Sequence, residues 1–138
     1  MSIFRTETNP SIEAAAPRRQ RVLILETDRL IKALIIEWLH MAGNDTVCAS
    51  DAAAAARLPG KYDLVLADVP APLKVARNTV ASLTRAVPGT PIVAMSADIV
   101  ASGEAASRAL ARELGAAAVL VKPFTKDALL HAIHRASA

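Results

Sequence analysis

From Arg21 onward, short apolar runs alternate with stretches of helical periodicity. The runs fall at about 21–26, Asp45–Ala49, Asp63–Asp68, Ile92–Ser96 and about 117–121. Most are strand-length and nearly unbroken by polar residues, as expected of strands covered by helices on both faces. Between the first two runs, a helix is predicted from Asp28 to Met41. Ile31, Leu34, Ile35 and Trp38 form its buried side, Arg29, Lys32, Glu37 and His40 its polar side, and Gly43 its stop. An Ala-rich helix near 51–58 ends at Pro59-Gly60, and Pro70 and Pro72 delay the next, near 74–86. Pro88-Gly89 turns the chain into the fourth run, a helix near 102–114 stops at Gly115, and Thr125 can cap a last helix to about Arg135. This alternation predicts one α/β domain on a parallel sheet, spanning 21–136. Residues 1–20 mix Asn-Pro, Ala-Pro, Ser and Arg without periodicity and are predicted to be a flexible extension.

Composition narrows the picture. The 138 residues suffice for one domain with a real core, and the shortage of aromatics suits a helix-covered sheet better than an antiparallel sandwich. Charges interrupt the apolar stretches before membrane-spanning length, and MSIFRTETNP lacks the apolar core of a secretory signal, so no membrane is expected. The single cysteine, Cys48, forbids an internal disulfide and points to the reducing cytoplasm; its place in a strand predicts a buried, inert thiol. The net charge of +3 is mild, and Arg18, Arg19 and Arg21 are too small a group for a nucleic-acid footprint, so nucleic acid is not an expected partner.

The candidate chemistry lies at the ends of the runs. Glu26 closes the first, Asp68 the third, Ser96-Ala97 the fourth, and Lys122-Pro123-Phe124 follows the fifth. If the runs are neighbouring parallel strands, these side chains meet at the carboxyl edge, where doubly wound folds bind ligands. Two acids and a lysine in one crevice suit a site that accepts a phosphoryl group on Asp68. A carboxylate can act as the nucleophile, and phosphoryl transfer is mostly positioning plus neutralisation of charge.

On these four strand-end motifs, residues 21–136 resemble the receiver domains of two-component response regulators. The resemblance implies a CheY-like, flavodoxin-type doubly wound sheet of five parallel strands in the order 2-1-3-4-5, with helices on both faces. It implies that Asp68 is the phosphoacceptor, that Lys122 and Ser96 contact the phosphoryl group, and that Pro123 shapes the loop after Lys122, often through a cis bond. Mg²⁺ would be held by Glu26, Asp68 and the Pro70 carbonyl. The implied partners are a histidine kinase or phosphotransfer protein as donor and a downstream protein. The latter would dock on the fourth helix, fifth strand and last helix, a face carrying Arg108, Arg112, Lys126 and His131, with room for a homodimer. The expected role is non-enzymatic bacterial signalling in the cytoplasm. With nothing after the last helix to form an output domain, a stand-alone receiver is expected.

The chain departs from that family pattern. Thr27 stands where a second, metal-binding acid is usual, so Mg²⁺ binding should be weak. Asp28, one residue on, reads first as a helix cap and second as a rescue ligand for the metal. Pro70-Ala71-Pro72 stiffens the loop after the acceptor, and the usual Asp-Gly at the next helix start is absent. Val119 replaces the aromatic that often switches rotamer on phosphorylation.

These departures keep an alternative open, a phosphorylation-independent pseudo-receiver acting as a protein interaction module. In the same vein, Glu26 could pair with Lys122 as a structural ion pair, Ser96 could only satisfy a loop, and Thr27 could be a helix cap. His131 and His134 share a helix face without a third ligand and read as surface histidines, and Trp38 reads as core. A flavin-binding relative does not fit, because Thr27-Asp28-Arg29 lacks the small residues that cradle a phosphate.

Overall fold

The computed structural model describes residues 19–98 and 102–137. The predicted flexible extension lies outside the described residues except for Arg19 and Gln20, which are tied to the domain: Arg19 makes a two-pronged pair with Asp45, and the Gln20 amide donates to Asn44. The elements alternate as the pattern predicts: β1 Arg21–Leu25, α1 Arg29–Met41, β2 Asp45–Cys48, α2 Ala52–Arg57, β3 Leu64–Asp68, α3 Leu73–Ala86, β4 Ile92–Ser96, α4 Glu104–Leu114, β5 Ala118–Val121 and α5 Lys126–Ser137. The strands are parallel in the order β2-β1-β3-β4-β5, as expected.

Strand alternation divides the core in two. Leu23, Leu25, Val65, Ala67 and Ala94 face α2, α3 and α4, where Ala76, Val80 and Leu83 pack against them. Val22, Ile24, Leu66, Val93 and Met95 face α1 and α5, against Ile35, Leu39 and Leu129. Side-chain caps hold three helix starts by satisfying amides that lack an intrahelical partner. Asp28 Oδ1 accepts from Ile31 N at 3.0 Å, Asp51 Oδ1 from Ala54 N at 2.8 Å, and Thr125 Oγ1 from Ala128 N at 3.1 Å. Gly115 ends α4 in the left-handed region at φ 79°, a conformation that costs a glycine little.

The structure corrects three local readings. Leu34 is 39% exposed, whereas Leu39, not anticipated, is fully buried: the axis of the buried stripe runs through Ile35 and Leu39. Cys48 is exposed rather than buried, because β2 is an edge strand and the neighbouring α2 is only six residues long. Thr27 is not the cap of α1; Asp28 is. Trp38 packs on the α1–α5 core as expected, edge-on to Phe124, and His131 and His134 are exposed.

The register sets the site. Leu25 pairs with Ala67, so Glu26 and Asp68 leave neighbouring strands at the same level. Asp68 pairs with Met95, and Met95 with Leu120. Lys122 lies two residues beyond that row, and only a long side chain could reach back across β4 to Asp68.

Candidate functional site

The Lys122 side chain makes that reach. Its Nζ lies 2.8 Å from Asp68 Oδ1, to which it donates, and 2.6 Å from Glu26 Oε1. The Glu26 contact is not aligned as a hydrogen bond, and at that distance charge attraction carries it. The three side chains differ in access. Glu26 is 1% exposed, Lys122 12% and Asp68 37%, so the acid that faces solvent is Asp68. The second oxygen of Glu26, Oε2, accepts from the Asp28 amide at 3.0 Å. Burial works against the Lys122 ammonium, but its hydrogen bond to Asp68 and its contact with Glu26, with both carboxylate charges, outweigh that and hold its pKa above the ordinary lysine value.

The base of Lys122 is fixed by its amide, which donates to the Ser96 carbonyl at 2.9 Å. Ser96 is nearly fully buried; its Oγ accepts from the Asp98 amide at 3.1 Å, and its hydroxyl proton has no acceptor among the described residues. The segment from 99 to 101, which follows Ser96 in the chain, lies outside the described residues. The Lys122-Pro123 bond is cis, as the resemblance implied, and so is Ala71-Pro72, which precedes α3. Pro70 is exposed, and Val119 is buried, with no ring to move.

Thr27 and Asp68 share a cleft of about 240 Å³ with Ser50, Asp51, Thr79 and Ser82. Sequence reasoning did not anticipate that wall. Its residues come from the turn between β2 and α2 and from α3, distant in the chain from Glu26, Asp68 and Lys122 or set on a helix. Ser50-Asp51 before an alanine run was the available signal, and it reads only as a cap.

Mg²⁺ prefers an octahedral set of hard oxygens that includes carboxylates. Here Glu26 spends both oxygens on Lys122 and the Asp28 amide, and Thr27 is neutral. Among the described residues no three His, Cys, Asp or Glu side chains gather as a metal-holding group. The donors that remain are the outer oxygen of Asp68, the Thr27 hydroxyl, the Pro70 carbonyl that the resemblance implies and, across the cleft, the second oxygen of the capping Asp51, with no second strand-end acid among them. This set does not fit a tightly held Mg²⁺.

On the proposed partner face, Arg108, Arg112 and His131 are exposed and Lys126 is partly buried. Arg135 on α5 reaches Glu104 at the start of α4, 2.7 Å away.

A five-stranded parallel sheet of this order, with an acid–lysine crevice at its carboxyl edge, defines a doubly wound module of CheY topology. The family model for the response regulator receiver domain matches residues 22–134, and the chain belongs to that family, whose role is signalling in two-component systems. A transcriptional regulatory protein, CpxR of Klebsiella pneumoniae, is 34% identical over 111 residues, 80% of this chain and 46% of the relative. The chain thus spans about half the length of the curated relatives it matches. Among solved structures, the chemotaxis protein CheY4 of Vibrio cholerae superposes with a TM-score of 0.64 at 21% identity, covering 86% of this chain and 99% of that one. The receiver domain of a sensor histidine kinase from Pseudomonas aeruginosa, with a magnesium ion coordinated in its active site cleft, gives 0.66 at 22% identity, covering 87% and 98%. Among the described residues no helix is long and apolar enough to cross a membrane.

Proposed function

We propose that this chain is a cytoplasmic receiver that accepts a phosphoryl group on Asp68 from a histidine kinase or phosphotransfer protein and passes the signal on by docking to a partner protein. One observation carries the reading: of the two acids that share the Lys122 ammonium, Asp68 alone keeps an oxygen open to solvent and a cleft beside it. That oxygen attacks the phosphorus of a phosphohistidine; the O–P bond forms as the P–N bond breaks, and the electron pair leaves on the imidazole, which takes up a proton. Lys122 balances charge on the transferring oxygens, and the Ser96 hydroxyl donates to one of them. The output face is α4, β5 and α5, with Arg108, Arg112, Lys126 and His131, and Mg²⁺ is a weak ligand of the crevice.

A second reading, an interaction module that works without phosphorylation, is favoured by the neutral Thr27 and by the engagement of both Glu26 oxygens within the protein. Intact mass after exposure to phosphoramidate separates the two. A single phosphoryl adduct that Asp68→Asn abolishes supports the receiver; an unmodified chain supports the interaction module.

A further inference from the structure

We infer that Lys122 takes the place of the divalent cation at this crevice, with Glu26 serving as its anchor and not as a metal ligand, so that transfer to Asp68 proceeds without Mg²⁺. This rests on the reading of Asp68 as the acceptor. A carboxylate as buried as Glu26 is costly unless it is paired, and here it is paired twice, through Oε1 to the Lys122 ammonium at 2.6 Å and through Oε2 to the Asp28 amide at 3.0 Å. To bind a cation, Glu26 would have to offer an oxygen that already serves one of these partners, and at Oε1 the cation would meet the Lys122 ammonium, a like charge.

The same contact aims the ammonium. Lys122 is tethered at its base through its amide to the Ser96 carbonyl and at its tip between Glu26 and Asp68. Without Glu26 the tip would be held by Asp68 alone, the group whose charge is altered in the reaction. Glu26 thus acts as a positioning residue: it keeps the ammonium in place before and after Asp68 is modified.

Charge points the same way. Two carboxylates against one ammonium leave the Glu26–Asp68–Lys122 triad with one net negative charge, which an acid at position 27 would double, and the capping carboxylates of Asp28 and Asp51 add their own at the rim. Asp28 and Asp51, the other acids at its rim, each spend an oxygen on an amide of the helix they cap. An incoming anionic phosphoryl group therefore meets less repulsion than it would beside a second strand-end acid, and a divalent cation has less to neutralise. In a test with phosphoramidate, an Asp68 oxygen forms the O–P bond as the P–N bond breaks, and the electron pair leaves on the protonated nitrogen as ammonia.

The first experiment needs no variant. The full chain is treated with phosphoramidate in EDTA or in excess Mg²⁺, and adduct formation is followed by intact mass. The rates are expected to agree within about threefold, against a loss of tenfold or more in EDTA if a metal were required. Thr27→Asp should create a dependence on Mg²⁺ of roughly tenfold or more, because it supplies a free carboxylate ligand and an added negative charge. A tenfold loss in EDTA for the unaltered chain overturns the inference. Glu26→Gln should slow the reaction equally with and without Mg²⁺, and Glu26→Asp should recover part of the rate. A slowing seen only with Mg²⁺ would make Glu26 a ligand and overturn its anchoring role.

A second measurement does not depend on transfer. Mg²⁺ titration followed by Trp38 fluorescence or amide shifts should give affinities for Glu26→Gln and the unaltered chain within about twofold of each other. A much weaker affinity in Glu26→Gln would overturn the anchoring role. A chain that forms no adduct under any condition defeats both the transfer step and the acceptor reading, and the titration then decides the role of Glu26 alone.

Discussion

Glu26 and Lys122 meet at 2.6 Å at the most enclosed point of the crevice, and Asp68 shares the same ammonium from its open side at 2.8 Å. Glu26 is enclosed between the Lys122 ammonium and the Asp28 amide, whereas Asp68 leaves β3 at the cleft that runs to α2 and α3. One lysine therefore binds a structural acid and a reactive one.

Removing the lysine should expose the structural half of that arrangement. Lys122→Met leaves the Glu26 carboxylate buried without its counter-charge, and breaking a buried pair from one side costs about 3–5 kcal/mol. The double variant Glu26→Gln/Lys122→Met, which leaves no buried charge, should be more stable than Lys122→Met alone. Urea unfolding measures both; equal stabilities would mean that Glu26 is relieved by solvent and that the pair is not buried in the sense described.

The first helix offers a test of the packing. Ile35 is fully buried and Leu30 is 70% exposed, although both are large aliphatic residues on α1. Ile35→Ala should cost about 2–5 kcal/mol, whereas Leu30→Ala should fall within about 0.5 kcal/mol of the unaltered chain. Similar losses in thermal or chemical unfolding would contradict the orientation of the helix.

Much of this was legible in the chain because apolar runs that end in charge fix both where strands stop and which edge they share. Glu26, Asp68, Ser96 and Lys122 could be placed at one edge from that rule, and the strand order followed from the family resemblance. The misreadings arose where the deciding neighbour is distant in sequence or one residue away. Leu34 and Leu39 both satisfy helical spacing, and only the direction of the sheet under α1 selects Leu39. Cys48 looks like a core residue until β2 is known to be an edge strand. Thr27 and Asp28 are both good caps, and the choice of Asp28 depends on where the first turn begins. The allegiance of Glu26, to Lys122 and the Asp28 amide, is a matter of side-chain geometry that no spacing encodes.

Acid should loosen the link between α4 and α5. The Arg135 guanidinium, hydrogen-bonded to Glu104, holds the Glu104 carboxyl below its ordinary value of 4.5. A carboxyl depressed in the folded state adds stability that is present above its unfolded value and is lost as pH falls through the folded one. The melting temperature of the unaltered chain should therefore exceed that of Glu104→Gln slightly near neutral pH, and the gap should close as pH drops below about 4.5. Calorimetry across that range checks the sign; a gap that widens in acid would mean that the ion pair is not the source of the shift.

The central claim, that Asp68 receives the phosphoryl group, is tested most directly by locating the adduct. After treatment with phosphoramidate, trapping the acyl phosphate by borohydride reduction and mapping peptides by mass should place the modification on the segment containing Asp68 and on no other acid, with Glu26 untouched. The Asp68→Asn chain, folded as judged by circular dichroism, should carry no modification. A reduced residue found at Glu26, Asp28, Asp51 or Asp98, or an adduct that persists in Asp68→Asn, would contradict the account.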